Sequence, residues 1–155
     1  MSPRLDYAKA APGAIRSLTG LDSYINGSSL ERPLLDLVKL RVSQINGCAY
    51  CIEVHSKDAR AHGENELRLY ALSVWQDAPY YSERERAALA WTESLTLIAE
   101  SHVPDAAFEQ ARAHFNETEL VNLTLAVIAI NGWNRIGISF RPEVGKYTAV
   151  APQAV

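Results

Sequence analysis

Two cysteines and one histidine are grouped closely enough in the sequence to carry redox chemistry. Cys48, Cys51 and His55 follow one another at spacings of three and four residues. On a helix that turns by about 100° per residue, the three side chains would lie within roughly 60° of one another and share one face. Side chains at this spacing have Cβ atoms about 5–6 Å apart, so the two sulfurs could form a disulfide after a small adjustment.

Two physical effects would lower the pKa values of these thiols, and they favour different sulfurs. The free amide groups and dipole of a helix start stabilise a thiolate at Cys48. An imidazole one turn further on favours Cys51, because His55 can accept its proton. The spacing alone therefore leaves the nucleophile open. In either case, a thiolate beside a second cysteine could reduce a peroxide through a sulfenic acid, or exchange disulfides with a partner.

Other roles for these residues fit the sequence less well. Zinc needs four ligands, and His62 would lie about 10.5 Å along the helix axis from His55, too far to complete a site with the two cysteines. A thioredoxin-like motif would need the flanking strands of a βαβ unit. Two buried cysteines with a surface histidine would serve packing alone. We therefore predict redox chemistry that uses no metal and no cofactor.

The segments that would position this group are predicted to be helices. Pro33 suits a first helical turn, and apolar residues recur after it at spacings of three and four until Asn46-Gly47, which favours a stop. A second helix is predicted from Cys48 to His62, with Gly63 as its end. Further helices are predicted over about Gly13–Leu21 and Asn65–Trp75, from the capping box of Ser82 and Glu85 through Ile98, from Pro104 through Phe115, and from Leu120 to Ile130.

The fold class predicted from these segments is all-α. The run from Leu123 to Ile130 is apolar on nearly every side, which predicts burial in the core or against another subunit. Residues 35–47 also align with residues 120–132, and both end in Asn-Gly. This repeat predicts two related helix-turn-helix units about a pseudo-dyad, of which only the first carries the cysteines and the histidine.

Length and composition narrow the class of protein. The 155 residues fit one domain, 1–155, and 48% hydrophobic with 21% charged residues is typical of a globular protein and not of a disordered or collagenous one. The net charge of −3 provides no basic surface for nucleic acid or an anionic membrane. No apolar run is long enough to span a bilayer, and the N-terminus lacks the apolar region of a signal peptide. We therefore predict a cytoplasmic protein, in which a close cysteine pair is more often redox-active or metal-binding than a structural disulfide.

The residues around the cysteines carry a family resemblance. Residues 33–60, which include Asn46-Gly47-Cys48-Ala49-Tyr50-Cys51 and His55, resemble the alkyl hydroperoxidase D (AhpD)-like branch of the carboxymuconolactone decarboxylase family, as do residues 82–89 and 130–135. The resemblance implies a helical bundle that forms a homo-oligomer, a trimer or hexamer. It also implies a thiol peroxidase or disulfide reductase that acts on a hydroperoxide and is reduced by an external thiol, such as a lipoyl-bearing or thioredoxin-like protein.

The resemblance also implies roles for individual residues. In the family the second cysteine, here Cys51, attacks the peroxide, and the first, here Cys48, resolves the intermediate. His55 matches the histidine of the proton relay. The acidic member of that relay is a glutamate in the family, and the matching residue here is Asp36, which is one methylene shorter. We therefore expect a water bridge from Asp36 to His55 with weaker peroxidase activity, or a relay through another carboxylate such as Glu53.

Two other functions remain open at this point. The family's other branch performs decarboxylation or related lactone chemistry, which does not depend on a cysteine pair. Alternatively, the chain could be a non-enzymatic redox-sensing module whose disulfide changes its assembly.

Overall fold

The computed structural model describes residues 2–149, and the regular structure within this range is helical, which confirms the all-α prediction. The α-helices are, in chain order, α1 Tyr7–Ala10, α2 Pro12–Asn26, α3 Arg32–Asn46, α4 Ala49–Ala61, α5 Glu66–Ala71, α6 Glu83–Thr96, α7 Ile98–Ser101, α8 Asp105–Arg112 and α9 Glu117–Phe140, with a 3₁₀ turn at Leu72–Val74 between α5 and α6. No helix within residues 2–149 is long and apolar enough to cross a membrane.

The start and end signals in the sequence explain most of these bounds. Pro33 lies in the first turn of α3, and Gly47 ends that helix in the left-handed conformation with φ of 68°. Cys48 caps the start of α4, and Gly63 follows its end with φ of 91°. The predicted capping box of Ser82 with Glu85 opens α6, and Asn116 with Glu119 forms a second one at α9. Local signals thus fix the end of α3 before the cysteine pair and the start of α4 at the pair itself.

The last helix departs from the prediction. It runs without a break from Glu117 to Phe140, although Asn131-Gly132 was expected to end it. A glycine inside a helix costs about 1 kcal/mol, which is less than the apolar packing that the following turns provide. Trp133 of these turns packs partly buried against the core. The second helix-turn-helix unit is therefore replaced by one continuous helix.

The internal repeat nevertheless has a counterpart in the packing. Its two copies lie on α3 and α9, which pack extensively against each other. Asn46 Nδ2 donates to Oδ1 of Asn131, the residue equivalent to it in the repeat, at 3.0 Å, and also to Asn134 Oδ1 at 2.8 Å. The end of α3 is thereby tied to the middle of α9, directly beside the cysteine pair.

Helix α3 is buried on nearly all sides and contributes residues to both hydrophobic cores. One face joins a core with α2, α6, α8 and α9, and the other face joins a second core with α4, α5 and α6. The prediction of burial for Leu123–Ile130 holds for Leu123, Ala126, Val127, Ala129 and Ile130, whereas Ile128 is 55% exposed. Because α3 lies between two cores, its final turn holds the start of α4 in place.

Candidate active site

The cysteine pair lies at the start of α4, directly after the reversal of the chain at Gly47. Cys48 is the N-cap residue, and its Sγ accepts a hydrogen bond from the Cys51 N–H at 3.4 Å. The two Cα atoms are 5.3 Å apart and the sulfurs are within disulfide-bonding distance. Both residues are almost fully buried, with 1% and 4% exposure. The predicted spacing therefore brings the two sulfurs together.

Helix α9 closes against the sulfurs through a glycine. A Cβ atom at Gly137 would lie 2.9 Å from Cys48 Sγ and 3.3 Å from Cys51 Sγ. The carbonyl oxygen of Trp133, one turn earlier, is 4.0 Å from Cys51 Sγ. Any side chain at position 137 would therefore displace the sulfur pair or the helix, and the sequence pattern alone did not reveal this requirement.

The cysteine pair borders two cavities, which we name after the cysteine that each contains. The Cys51 cavity has a volume of about 280 Å³ and is lined by Tyr7, Asp22, Tyr50, Cys51, Val54, His55, Trp133, Gly137 and Tyr147. The Cys48 cavity has a volume of about 490 Å³ and is lined by Gly47, Cys48, Ala49, Tyr50, Gly137, Ile138, Arg141, Pro142, Glu143 and Val144. Tyr50 and Gly137 line both cavities, and each cavity contains one of the two cysteines. A small molecule could therefore reach each sulfur through a different cavity.

His55 shares the Cys51 cavity with Cys51, as the helical spacing predicted. Burial lowers the pKa of its imidazole to about 3, with Lys39 acting in the same direction and Asp22 opposing it. The ring is therefore neutral near pH 7, and one of its two nitrogens carries no proton. Within residues 2–149, none of the hydrogen bonds involves this ring. The negative charge that acts on this ring is that of Asp22, which lines the same cavity.

The predicted partner of His55 contacts a different histidine. Asp36 Oδ2 lies 2.6 Å from His62 Nδ1, and Asp36 Oδ1 lies 3.4 Å from Arg32 Nε. Burial raises the pKa of the Asp36 carboxyl, although the hydrogen bond from His62 and the nearby cations oppose this shift. Because α3 and α4 form a hairpin and both rise by about 1.5 Å per residue, a residue near the start of α3 lies level with the end of α4. The structure thus brings Asp36 to His62 and not to His55.

Glu53, the other expected acid, contacts the segment that follows α9. Its carboxylate is paired with Lys57 Nζ at 2.6 Å and accepts a hydrogen bond from the Gly145 N–H at 2.6 Å. The Gly145 hydrogen bond, followed by Lys57, lowers the pKa of this carboxyl. Glu53 therefore anchors the segment after α9 to α4, and it has no hydrogen bond to His55.

The segment after α9, residues 141–149, crosses α4 and completes the Cys51 cavity. Tyr147 OH donates to Asp58 Oδ1 at 2.7 Å, and Lys57 Nζ donates to the Tyr147 carbonyl oxygen at 2.8 Å. The pKa of Tyr147 is raised to about 12 by burial and by this bond to Asp58. Its ring lines the Cys51 cavity. The contribution of this segment depends on tertiary contacts that the sequence pattern does not indicate.

One carboxylate of the Cys51 cavity was missed by the sequence analysis. Asp22 of α2 forms an ion pair with Lys39 Nζ at 2.9 Å and accepts a hydrogen bond from Trp133 Nε1 at 3.1 Å. Lys39 is only 5% exposed and also donates to Asn26 Oδ1 at 3.0 Å. A lysine on a helix that is otherwise apolar on most sides was the signal that could have indicated a buried ion pair.

Known proteins are similar to this chain in sequence and in fold. The model of the carboxymuconolactone decarboxylase family matches residues 12–94. The chain is 42% identical to the uncharacterized protein YdfG of Bacillus subtilis (strain 168) over 139 residues, which are 90% of this chain and 95% of that protein.

Solved structures extend the comparison. The chain is similar to ATU0492 from Agrobacterium tumefaciens, described as a protein of unknown function and a proposed antioxidant defence protein AhpD, with a TM-score of 0.88, 44% identity, and coverage of 96% of this chain and 99% of that one. This similarity confirms the AhpD-like fold. The debrominase Bmp8 has a TM-score of 0.80 at 20% identity over 89% of this chain and 74% of its own, a likeness of fold alone.

Proposed function

The chain belongs to the carboxymuconolactone decarboxylase family, and we propose that it is a thiol-dependent peroxidase that cycles Cys48 and Cys51 between dithiol and disulfide. The observation that carries this proposal is the pair of sulfurs within bonding distance, with His55 in the cavity beside Cys51. The likeness to a proposed AhpD antioxidant defence protein supports the same reaction class.

In the first step, the neutral imidazole of His55 takes the proton from the Cys51 thiol. The thiolate attacks the terminal oxygen of the hydroperoxide, the one that carries the hydrogen; the S–O bond forms, and the O–O bond breaks. Cys51 becomes a sulfenic acid, and the alkoxide that leaves takes the proton from the His55 imidazolium to give an alcohol. Cys51 is favoured as the nucleophile because His55 lines its cavity and not that of Cys48.

In the second step, the Cys48 sulfur attacks the Cys51 sulfenic acid. The disulfide forms, and the hydroxyl group leaves as water with the proton of the Cys48 thiol. An external dithiol, of the lipoyl or thioredoxin-like class, then supplies two electrons and two protons to restore both thiols. We propose that it approaches Cys48 through the Cys48 cavity, which lies on the other side of Tyr50 from His55.

The fold by itself does not select this reaction, because unrelated chemistries are built on one fold. The debrominase Bmp8 shares the helical architecture, and the family name refers to a decarboxylase. The choice of a peroxidase rests on the chemistry of the two cysteines and the histidine. We propose further that the enzyme uses no metal or cofactor, is cytoplasmic, and forms a homo-oligomer, a trimer or hexamer, whose size can be measured by light scattering.

The test is to follow each cysteine separately after treatment of the reduced protein with an organic hydroperoxide. We expect the wild-type protein to lose two thiols and gain an intramolecular disulfide by intact-mass analysis. Cys48→Ser should stop at a sulfenic acid that a dimedone probe captures, and Cys51→Ser should not react with the peroxide. Full hydroperoxide turnover by Cys51→Ser would overturn the proposal, and a disulfide without turnover would make the chain a redox sensor instead.

A further inference from the structure

A proton relay in the Cys51 cavity needs a negative charge near His55. When a partly buried imidazole accepts a proton, it acquires a charge that must be paired or hydrogen-bonded, since a lone charge away from water is costly. Three nearby carboxylates have other partners. Asp36 contacts His62, Glu53 is held by Lys57 and Gly145, and Asp58 accepts from Tyr147. None of these three lines the cavity.

Asp22 is the one carboxylate among the described residues that line the Cys51 cavity. Its Oδ2 accepts from the Trp133 indole, while its Oδ1 is buried and accepts no hydrogen bond from the residues that the structure describes. Lys39 Nζ lies 2.9 Å from Oδ1 as its ion partner. A carboxylate oxygen has two lone pairs, so Asp22 keeps capacity to accept a further donor from the cavity.

The ion pair of Asp22 and Lys39 is poorly explained by stability alone. The Lys39 side chain is 7% exposed, and a buried salt bridge often contributes no more than apolar residues of similar volume would. Such pairs are retained at functional sites, where they set the charge of a neighbour. Lys39 pairs with one oxygen of the Asp22 carboxylate, and the Trp133 indole donates to the other, which fixes the carboxylate beside the cavity.

The groups that face His55 come from each element packed around it. Helix α2 contributes the negative charge of Asp22, and α3 contributes the positive charges of Lys39 and Arg32. Cys51 belongs to the same helix as His55, and the remaining titratable groups of the cavity are the phenols of Tyr7, Tyr50 and Tyr147. The negative charge that acts on His55 therefore comes from Asp22.

We propose that Asp22, held by Lys39 and Trp133, is the positioning residue that stabilises the His55 imidazolium during proton transfer, the role that resemblance to the family assigns to Asp36. This inference rests on the proposed function. Cys51 gives its proton to His55, the resulting cation is balanced by Asp22, and the same proton then passes to the leaving alkoxide. Asp22 itself neither gains nor loses a proton and does not touch the reacting sulfur.

The test measures thiolate formation at Cys51 without requiring a peroxide. In a Cys48→Ser background, the rate of alkylation of Cys51 by iodoacetamide near pH 7 is compared with and without Asp22→Asn. Removal of a negative charge by itself would favour the thiolate and speed alkylation. Loss of a partner for the imidazolium slows it, and we expect slower alkylation by about tenfold, a part of the 10²–10⁴-fold that general acid–base catalysis provides. An unchanged or faster rate would overturn the proposal.

Two further variants separate this role from a merely structural one. Asp22→Glu keeps the charge and should restore most of the rate. In a His55→Gln background, Asp22→Asn should no longer slow alkylation, because the carboxylate slows it only through the imidazole. Equal slowing by Asp22→Asn with and without His55 would contradict the proposal.

The fold offers a matched control in Glu93. Its Oε1 atom also contacts both a cation and an indole, with Arg41 Nη2 at 2.7 Å and Trp75 Nε1 at 2.8 Å. Unlike Asp22, Glu93 does not line the Cys51 cavity. Glu93→Gln should lower the melting temperature without slowing alkylation of Cys51.

The failure of this inference can be told apart from the failure of the proposed function. If the wild-type protein does not consume hydroperoxide, the proposed function fails. If it does, and Cys51 of Asp22→Asn is alkylated at the normal rate, only the present inference fails.

Discussion

Asp36 lies 2.6 Å from the Nδ1 atom of His62 and is not hydrogen-bonded to His55. Seven residues, or about 10.5 Å of helix rise, separate the two histidines on α4. The register of the α3–α4 hairpin therefore decides which histidine an acid on α3 can reach. In this chain Asp36 joins the far end of α4 to α3, and the carboxylate that lines the Cys51 cavity is Asp22 of α2.

The first prediction concerns the role of the hydrogen bond between Asp36 and His62. Asp36→Asn should lower the free energy of unfolding by about 1–3 kcal/mol, because it weakens a buried hydrogen bond to His62 and removes the partner of Arg32. The change should affect stability far more than the hydroperoxide kcat/KM, measured well below the melting temperature. On one preparation, urea unfolding measures the free energy of unfolding and steady-state kinetics measure kcat/KM. A hundredfold loss of kcat/KM at unchanged stability would return the relay role to Asp36.

The second prediction concerns the pH dependence of stability. Burial lowers the pKa of His55 from its ordinary value of 6.5 to about 3. Between these values the unfolded chain binds a proton that the folded protein does not, so the free energy of unfolding should fall as the pH falls through this window. The contribution is at most about 1.4 kcal/mol per pH unit. Urea unfolding from pH 7 to pH 4 should show a flatter profile for His55→Gln; parallel profiles would contradict the burial of a neutral ring.

The third prediction tests the close approach of α9 to the sulfurs. Gly137→Ala should slow disulfide formation by at least about tenfold, because its Cβ would stand 2.9 Å from Cys48 Sγ. Overpacking of this kind costs about 1–3 kcal/mol, partly offset by the better helix propensity of alanine. The rate of thiol loss after addition of hydroperoxide measures the effect.

A matched control for this substitution lies on the same helix. At Gly132 a Cβ would lie 3.6 Å from Leu18 Cδ1, an ordinary contact. Gly132→Ala should therefore keep the rate of disulfide formation and stabilise the protein by up to about 1 kcal/mol. Equal rates in the two alanine variants would show that the approach of Gly137 to the sulfurs is unimportant.

The fourth prediction concerns the segment of residues 141–149. Tyr147 is a wall of the Cys51 cavity and is held there by Asp58. Tyr147→Ala should enlarge the cavity and raise kcat/KM for a bulky aromatic hydroperoxide relative to hydrogen peroxide. Tyr147→Phe keeps the ring and should leave that ratio close to the wild-type value. If alanine and phenylalanine change the ratio equally, the ring does not limit access to Cys51.

Several features of the site could be predicted from the sequence because they are local. The placement of Cys51 and His55 beside one cavity follows from the geometry of a single helix, and the reversal before it follows from one glycine in the left-handed conformation. The capping box of Ser82 and Glu85 indicated the start of α6 for the same reason, since it depends on residues within one turn.

The features that the sequence analysis missed depend on contacts between distant segments. The partner of Asp36 is set by the register of two packed helices, and the pairing of Asp22 with Lys39 requires α2 to lie beside α3. The Asn-Gly pair at residues 131–132 looks like the one that ends α3, but packing of the turns that follow outweighs the local preference. Local patterns therefore indicated that the two cysteines and His55 lie together, while tertiary packing determined which carboxylate shares their cavity.

The most direct measurement of the central claim is the stoichiometry of one reaction cycle. Reduced protein is mixed with a limiting amount of an organic hydroperoxide in the absence of any reductant, and the alcohol product and the Cys48–Cys51 disulfide are both quantified. We expect one alcohol for each disulfide, and neither product in Cys51→Ser. A disulfide that forms without an equal amount of alcohol, or alcohol produced by Cys51→Ser, would contradict the assignment of this cysteine pair as a peroxidase.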